Sequence, residues 1–460
     1  MLLIQDGYVV TMNDHMDVYE RGAVAVEGDR IVDVGRGQDL EHKYPDAEFM
    51  SAAGRAVLPG LVCAHTHLFQ SIFRGIGDGL PLADWIGRCI FPLCRNLGRH
   101  ETYSASMVSI LEMLKTGTTT FVDSHYITRD KQCYDAIAQA VSETGIRGTI
   151  GRSTVNCAPA PEDFWETPAV AEQESIRVIE TYHNTCDGRL RVRVEPMNES
   201  SVTLDMMKTL KDVAQSYGVG LNMHIAETPA RVADSRNRYG LTSVQLLDSL
   251  GILGPNTLLA HCVWVDSRDI ALLAVSGTKV VHNPVSNQYL ADGVAPVPKM
   301  LRAGITVATA PDGPSSNNCL DMFQVMKTTA ILHRAFELDA TVIDSATALR
   351  MGTIEAARAV GMADDIGSLE PGKKADLIIA NLNRPEMVPD LSAFTNLVYC
   401  ATGACVETVM VNGRFLMRDR SVLTMNEKQV IEDGNSVARD LVDKADLGEL
   451  VNPRSVNLVR

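Results

Sequence analysis

Eight short stretches rich in apolar and β-branched residues alternate with longer amphipathic stretches through the middle of this 460-residue chain. Such alternation is typical of βα units whose strands form a parallel sheet. Eight units predict a closed (β/α)₈ barrel of the TIM type, in which functional residues lie at the carboxyl ends of the strands. The expected strands cover residues 57–65, 118–123, 147–151, 191–195, 219–225, 257–262, 279–283 and 306–312.

Two β-rich segments flank the expected barrel. The first contains GAVAVEGDRIVDVG and the second contains VETVMVNGRFLMRDR, and each combines alternating residues with a Gly-Asp or Asn-Gly turn. They predict a small composite β-sandwich domain built from both ends of the chain. The expected limits are 1–56 and 365–425 for its two halves, 57–364 for the barrel and 426–460 for a C-terminal helical tail.

Charge and composition exclude several classes of partner. The net charge of -15 offers no general attraction to phosphates, which argues against nucleic acid. The start has no basic region before an apolar stretch, and the apolar runs elsewhere are too short to span a bilayer, so we expect a cytoplasmic protein without a membrane partner. The ten cysteines form no CxxC pair, which favours small buried apolar residues over a zinc ribbon or disulfides.

Histidines and a carboxylate stand at the ends of the expected strands. His65 and His67 end the first strand, and the two-residue period of a strand points both imidazoles to one side. His224 ends the fifth strand, and Asp312 ends the eighth. Imidazole and carboxylate are normal zinc ligands, and a catalytic site keeps one further position for water.

Two further polar residues share this end of the barrel. Glu227 follows His224 in HIAE, and His261 ends the sixth strand. Taken singly, His261 could be a hydrogen-bonded core histidine, and Asp312 before Gly-Pro could begin a turn. Their common position at strand ends favours one metal-dependent site.

The ordered motifs PGLVCAHTH, LKTGTTTFVD, NMHIAET, LLAHCVWVD, HNPVSNQYLADGVAPVP, PDGPSSNNCLDMF and IGSLEPGKKADLII cover nearly the whole chain. In these motifs the chain resembles the aminohydrolase branch of the amidohydrolase superfamily. That branch includes adenosylhomocysteine and methylthioadenosine deaminases, guanine-type deaminases and triazine hydrolases. The resemblance implies a metal-dependent hydrolase of the cyclic amidine deaminase type that is a homodimer or larger.

The resemblance also implies roles for the strand-end residues. One divalent metal, Zn²⁺ or in some members Fe²⁺, would be bound by four residues: His65, His67, His224 and Asp312. A metal lowers the pKa of a bound water, which can then attack the ring carbon that bears the leaving group. Asp312 and His261 can accept the proton of that water, and Glu227 can protonate the ring nitrogen and then the departing group.

Two departures from the resemblance bear on the substrate. The adenosylhomocysteine-type deaminases hold ribose hydroxyls with a glutamate where this chain has Cys94, and they carry a histidine where it has Met197. Both differences favour a free aminotriazine, purine or pterin base over a nucleoside. Pro311 precedes Asp312, and proline stiffens the strand end there.

The candidate substrate contacts follow strand ends or metal motifs. Phe73 and Trp85 could equally be packing residues between helix and barrel, and His282 could orient a ligand instead of touching substrate. Together they predict a mostly apolar pocket for a small flat heterocycle. The candidates are Gln70, Phe73, Trp85, Cys94, His125, Met197, Asn198, His282 and Ser315.

Three alternatives to a base deaminase follow from the same residues. The same attack would release chloride or an alkylamine from a triazine, and product analysis separates those outcomes from ammonia. An adenosine-type nucleoside deaminase is the second alternative. The third is a non-catalytic, metal-stabilised homologue, against which the intact Glu227 and His261 argue, because a scaffold needs no acid/base residues beside a metal.

Overall fold

The computed structural model describes residues 1–126 and 128–451, and its strands fall into two sheets. In chain order the strands are β1 (Leu2–Val10), β2 (Val18–Glu27), β3 (Arg30–Arg36), β4 (Glu48–Ser51), β5 (Arg55–Pro59), β6 (Leu61–Thr66), β7 (Thr118–His125), β8 (Arg147–Thr154), β9 (Leu190–Pro196), β10 (Leu221–Ile225), β11 (Thr257–His261), β12 (Lys279–His282), β13 (Val307–Thr309), β14 (Leu377–Asn381), β15 (Val406–Val411), β16 (Arg414–Arg418) and β17 (Ser421–Val422).

Helices connect and cover these strands. They are α1 (Gly37–Lys43), α2 (Leu82–Trp85), α3 (Phe91–Cys94), α4 (Arg99–Lys115), α5 (Gln132–Thr144), α6 (Pro168–Tyr182), α7 (Thr185–Gly188), α8 (Leu204–Tyr217), α9 (Pro229–Tyr239), α10 (Ser243–Ser249), α11 (Ser267–Ser276), α12 (Pro284–Tyr289), α13 (Val297–Arg302), α14 (Met322–Glu337), α15 (Ser345–Met351), α16 (Ile354–Ala359), α17 (Ala393–Tyr399) and α18 (Glu427–Lys444). A π-helical turn at Ile86–Ile90 joins α2 to α3, and 3₁₀ turns lie at Leu68–Phe73, Glu162–Phe164, Pro385–Met387, Gly403–Cys405 and Gly448–Leu450.

Strands β6 to β13 form the barrel. Each pairs in parallel with the next strand in the chain, and β13 returns beside β6. These strands are buried on both faces, as parallel strands covered by helices must be. The predicted (β/α)₈ barrel is confirmed, and all eight strands carry their carboxyl ends to the same rim.

The remaining nine strands come from both ends of the chain and form one sheet in the order β17-β16-β15-β14-β5-β1-β2-β3, with β4 paired to β1. The predicted composite β domain from both ends of the chain is confirmed, and its hydrogen bonds join the two halves into one continuous sheet through β5. This strand pairs with β1 on one side and with β14 on the other. Val24 and Met410, from opposite halves, share one buried cluster.

The first expected barrel strand, 57–65, is divided at Gly60. Residues before this glycine belong to β5 of the terminal sheet, and those after it belong to β6 of the barrel. A Cβ at Gly60 would lie 2.1 Å from Oγ1 of Thr119, so a larger residue would collide with β7. The continuous apolar run hid this change of sheet, because periodicity alone does not reveal which partner a strand pairs with.

The chain's last described helix packs on the barrel. Within the predicted tail, α18 lies against α4, and Gly434 allows this approach, since a Cβ there would be 2.5 Å from Val108 Cγ2. Residues 452–460 of that predicted tail lie outside the described residues. Among the residues that the structure describes, no helix is long and apolar enough to cross a membrane.

Candidate active site

Three histidines and one aspartate converge at the carboxyl rim of the barrel. His65 lies in β6, and His67 is the first residue after that strand. His224 lies in β10, and Asp312 lies three residues beyond the last residue of β13. The chain is left-handed at Asp312, where φ is 67°. A non-glycine residue in that region is strained, and such strain is found where a side chain must be aimed at a site.

The ligand atoms lie within reach of one small ion. Oδ1 of Asp312 is 3.4 Å from Nε2 of His65 and 3.0 Å from Nε2 of His67. Nε2 of His224 is 3.4 Å from Nε2 of His67. Nε2 of His65 and Oδ1 of Asp312 are buried without a hydrogen-bond partner of good geometry. Buried orphan atoms of this kind, in an N₃O donor set, fit a divalent metal such as zinc.

Neighbouring groups set the charge and orientation of these ligands. Burial alone would raise the pKa of Asp312, yet the neighbouring His65, His67 and His261 side chains hold that pKa well below its usual value. Nδ1 of His67 lies 2.6 Å from the carbonyl oxygen of Ser124. Because a carbonyl only accepts, Nδ1 carries the proton and the Nε2 lone pair faces the metal position.

Two residues with acid/base side chains, Glu227 and His261, stand beside the four candidate ligands. Oε1 of Glu227 is 3.5 Å from Nε2 of His261, and its Oε2 is 3.0 Å from a guanidinium nitrogen of Arg231. Behind the histidine, the side-chain amide of Asn287 lies 3.0 Å from its Nδ1. His261 is also left-handed, with φ 72°. The carboxylate and the imidazole are therefore held side by side at the rim.

A small cavity opens onto three of the four candidate ligands and onto Glu227 and His261. Its wall combines aliphatic and aromatic side chains with a few polar groups, the composition expected for a flat organic ligand. The lining residues are His67, Gln70, Leu82, Trp85, Ile86, Tyr126, Met197, His224, Glu227, Arg231, His261, Leu290, Asp312 and Ser316.

Comparison with known proteins identifies the family. A model described as the amidohydrolase family matches residues 56–416, which is most of the chain. This chain belongs to the amidohydrolase family. A second model, described as an imidazolonepropionase-like composite domain from bacteria, matches residues 22–47 of the terminal sheet.

Similar members of the amidohydrolase family include two sequence relatives and one solved structure. The chain is 34% identical to a 5'-deoxyadenosine deaminase of Methanosarcina mazei, over 96% of this chain and 98% of that protein. It is 37% identical to a 5-methylthioadenosine/S-adenosylhomocysteine deaminase of Syntrophobacter fumaroxidans, with coverage of 96% and 98%. A crystal structure of an adenosine deaminase from Xanthomonas campestris with bound zinc superposes with TM-score 0.90 at 31% identity, covering 97% and 98% of the two chains.

Only some of the predicted substrate-contacting residues line the cavity of this amidohydrolase. Gln70, Trp85 and Met197 line it. Ser315 lies behind Gln70, to whose Oε1 it donates a hydrogen bond of 2.8 Å, and the next residue, Ser316, faces the cavity instead. Ser315 therefore positions a lining residue.

The other five predicted contacts lie outside this lining. Phe73 packs edge-on against Phe69, and Cys94 is buried in the main apolar core. His125 lies between the rings of Phe69 and Tyr134, where burial lowers its pKa to about 3.

Asn198 and His282 have partners of their own. Oδ1 of Asn198 accepts the backbone N–H groups of Ser200 and Ser201. Nε2 of His282 lies 3.1 Å from Nε2 of His333. All five were predicted because they follow strand ends or metal motifs. In the structure, neighbouring side chains separate them from the cavity.

Sequence reasoning missed several residues that the fold brings to the cavity. Tyr126 directly follows β7, and Arg231 stands four residues after Glu227. Their places in the sequence could therefore have indicated that both face the cavity. Leu82, Ile86 and Leu290 come from connecting segments whose course the sequence does not reveal. Glu195, at the end of β9, was also missed, although it approaches His224 from behind.

Proposed function

We propose that the protein is a metal-dependent hydrolytic deaminase that acts on a small nitrogen heterocycle such as an aminotriazine, purine or pterin base. One observation carries the proposal. His67, His224 and Asp312, three of the four ligand-type residues, open onto the same cavity as the paired carboxylate and imidazole of Glu227 and His261, and His65 lies beside them. A merely structural metal site would have no use for such a pair.

Zn²⁺ is the proposed metal, with Fe²⁺ as the second choice, because imidazole and carboxylate ligands suit both. His65, His67, His224 and Asp312 would hold it. The chemistry that such an ion supplies is a water whose pKa falls toward neutrality. The zinc in the adenosine deaminase from Xanthomonas campestris supports this choice.

The proton transfers fall to the protein's own side chains. Asp312 and His261 face the cavity and can take the proton of the attacking water. Glu227 can deliver a proton to the ring nitrogen and then to the amino group, which leaves only once it is protonated. Burial would raise the pKa of Glu227, but His261 and Arg231 beside it hold that pKa below its usual value, so the carboxylate takes a proton from the water before it passes one to the ring.

The cavity wall supports a free base over a nucleoside. Among the described residues that line the cavity, the carboxylates are Glu227 and Asp312, and both belong to the reacting centre. Cys94, which stands where a ribose-binding glutamate was expected by resemblance, is buried in the core. An adenosine-type nucleoside is the second candidate, because both sequence relatives carry names of adenosine-type deaminases.

A panel of matched bases and nucleosides tests the substrate class. Zinc-loaded protein is incubated with aminotriazines, free aminopurines, pterins and the corresponding nucleosides, and kcat/KM for ammonia release is measured. We expect the bases to exceed their nucleosides. A consistent preference for nucleosides would overturn the base assignment, and release of chloride or alkylamine from substituted triazines would replace the deaminase by a triazine hydrolase.

We further propose a cytoplasmic homo-oligomer of dimeric or larger size. The family resemblance supports the oligomer, and light scattering of the purified protein tests it. A monomer at micromolar concentration would overturn this part of the proposal.

A further inference from the structure

Two side chains in the cavity keep hydrogen-bond donors that no described residue accepts in good geometry. The first is the phenol of Tyr126, which is 4% exposed and packs edge-on against His67 with ring centroids 4.6 Å apart. Nε2 of Gln70 donates to the phenol oxygen at 2.9 Å. In this orientation of the amide, Oε1 of Gln70 accepts a hydrogen bond from Ser315 at 2.8 Å and does not accept from the phenol. The Tyr126 proton is therefore directed elsewhere, and among the described residues nothing accepts it.

The second donor is the guanidinium of Arg231. Its side chain is 13% exposed, and its Nη1 lies 3.0 Å from Oε2 of Glu227. That nitrogen is nevertheless buried without a hydrogen bond of good geometry. Apart from the histidines, Arg231 is the one cationic side chain among the described residues that line the cavity. Its planar fork suits oxygen acceptors better than any other side chain does.

These donors stand beside different groups of the candidate site. Tyr126 lies beside His67, and Arg231 lies beside Glu227. The space between them is walled by apolar groups, including Leu82, Trp85 and Leu290. Buried donors without partners are costly, and a site that contains them selects ligands able to satisfy them.

We propose that the substrate is an oxo-substituted amino heterocycle, whose ring oxygen accepts hydrogen bonds from Tyr126 or Arg231. This inference rests on the proposed deaminase function and narrows its substrate class. A ring carbonyl next to ring N–H groups carries more negative charge than a ring nitrogen, and charge-assisted hydrogen bonds to a guanidinium are the stronger kind. Heterocycles with an amino group but no ring oxygen offer these donors only ring nitrogens, which are the weaker acceptors.

Matched pairs of rings test the proposal. One pair is 2-amino-4-oxopyrimidine and 2-aminopyrimidine, and another is guanine and 2-aminopurine. We expect zinc-loaded protein to favour the oxo member by about a hundredfold or more in kcat/KM, as sites built to bind a polar group do. Tyr126→Phe and Arg231→Met are expected to reduce this ratio, mainly through loss on the oxo member.

A control variant isolates the effect of the cavity phenol. Tyr217→Phe removes an exposed hydroxyl that contacts Glu180 outside the cavity, and it should keep the wild-type ratio. Equal activity on both members of each pair, or a ratio unchanged in both cavity variants, would overturn the inference.

Binding without turnover separates this inference from the proposed function. A 4-oxopyrimidine without an amino group cannot release ammonia, so its dissociation constant is measured directly by calorimetry on metal-loaded protein. We expect about tenfold weaker binding in Tyr126→Phe, the loss typical of one hydrogen bond to a ligand. Unchanged binding contradicts the role of Tyr126, whereas a binding difference without ammonia from any ring contradicts the deaminase function alone.

Discussion

The carboxylate of Glu195 stands behind the proposed metal ligand His224, with Oε1 3.5 Å from Nδ1 of the imidazole. Oγ of Ser124 donates a hydrogen bond to the same carboxylate oxygen. Gly151 makes room for the other oxygen, because a Cβ there would lie 2.4 Å from Oε2 of Glu195. Two barrel strands thus hold a buried carboxylate against the outer nitrogen of His224, where it can orient the ring for metal binding.

Replacing Glu195 by glutamine should weaken zinc binding by about 10–100-fold, because the amide cannot supply the charge that orients His224. Competition with a chromophoric chelator measures the affinity without any need for turnover. Glu432→Gln, on the exposed face of α18, provides a matched control with wild-type affinity. Equal affinity in both variants would show that Glu195 has no part in positioning the ligand.

Glu227→Gln should lower kcat by about 10²–10⁴-fold, since the variant cannot shuttle a proton to the ring and the leaving group. Metal content should stay at the wild-type level, because Glu227 is not one of the four proposed ligands. Steady-state kinetics and elemental analysis check the two halves of this prediction. Activity close to wild type would remove Glu227 from the mechanism.

Gly313→Ala should disturb the substrate cavity. A Cβ at this position would lie 1.8 Å from Oε1 of Gln70, so Gln70 must move away from Ser315 and Tyr126. Overpacking of this kind destabilises a protein by about 1–3 kcal/mol. KM should rise in the same variant. Gly254→Ala is the control, because its Cβ meets nothing within 4 Å, and denaturant unfolding compares the two. Equal stability and equal KM in both variants would contradict the account of Gln70.

Asp376→Ala should loosen the terminal sheet from the barrel. Asp376 forms a two-pronged ion pair with Arg147, at 2.9 and 3.1 Å, and both side chains are almost fully buried. Removing one partner of a buried pair leaves an uncompensated charge and costs about 3–5 kcal/mol. Denaturant unfolding measures the loss, and an exposed pair such as Lys428 with Glu432 should tolerate the same treatment. A loss no larger than that of Glu432→Ala would refute the structural role of this pair.

The barrel and the terminal sheet were predictable because their evidence is local. Buried parallel strands are continuous apolar runs, and turns such as Asn412-Gly413 mark a hairpin. Strand pairing is not local. The run around Gly60 looks like one strand, and only contacts with distant residues such as Thr119 divide it between two sheets.

In the candidate site, too, some residues can be found from local sequence and others depend on distant contacts. The residues proposed as ligands could be found because each belongs to a barrel strand or lies within three residues of its end. Cavity walls depend on how loops return over the rim, so Leu82 and Leu290 could not be foreseen. Phe73 and Cys94 were predicted to contact substrate because their segments lie near the rim. Their side chains pack in the core instead.

The central claim is that metal-bound protein hydrolyses an amino group from a heterocyclic ring, and isotope-labelled turnover tests it most directly. Protein stripped by chelator and then titrated with zinc is incubated with an aminoheterocycle panel in ¹⁸O-labelled water, and ammonia and product mass are measured together. We predict ammonia in proportion to bound zinc, with one ¹⁸O atom in each product ring. Full zinc occupancy with neither ammonia nor labelled product across the panel would contradict the account.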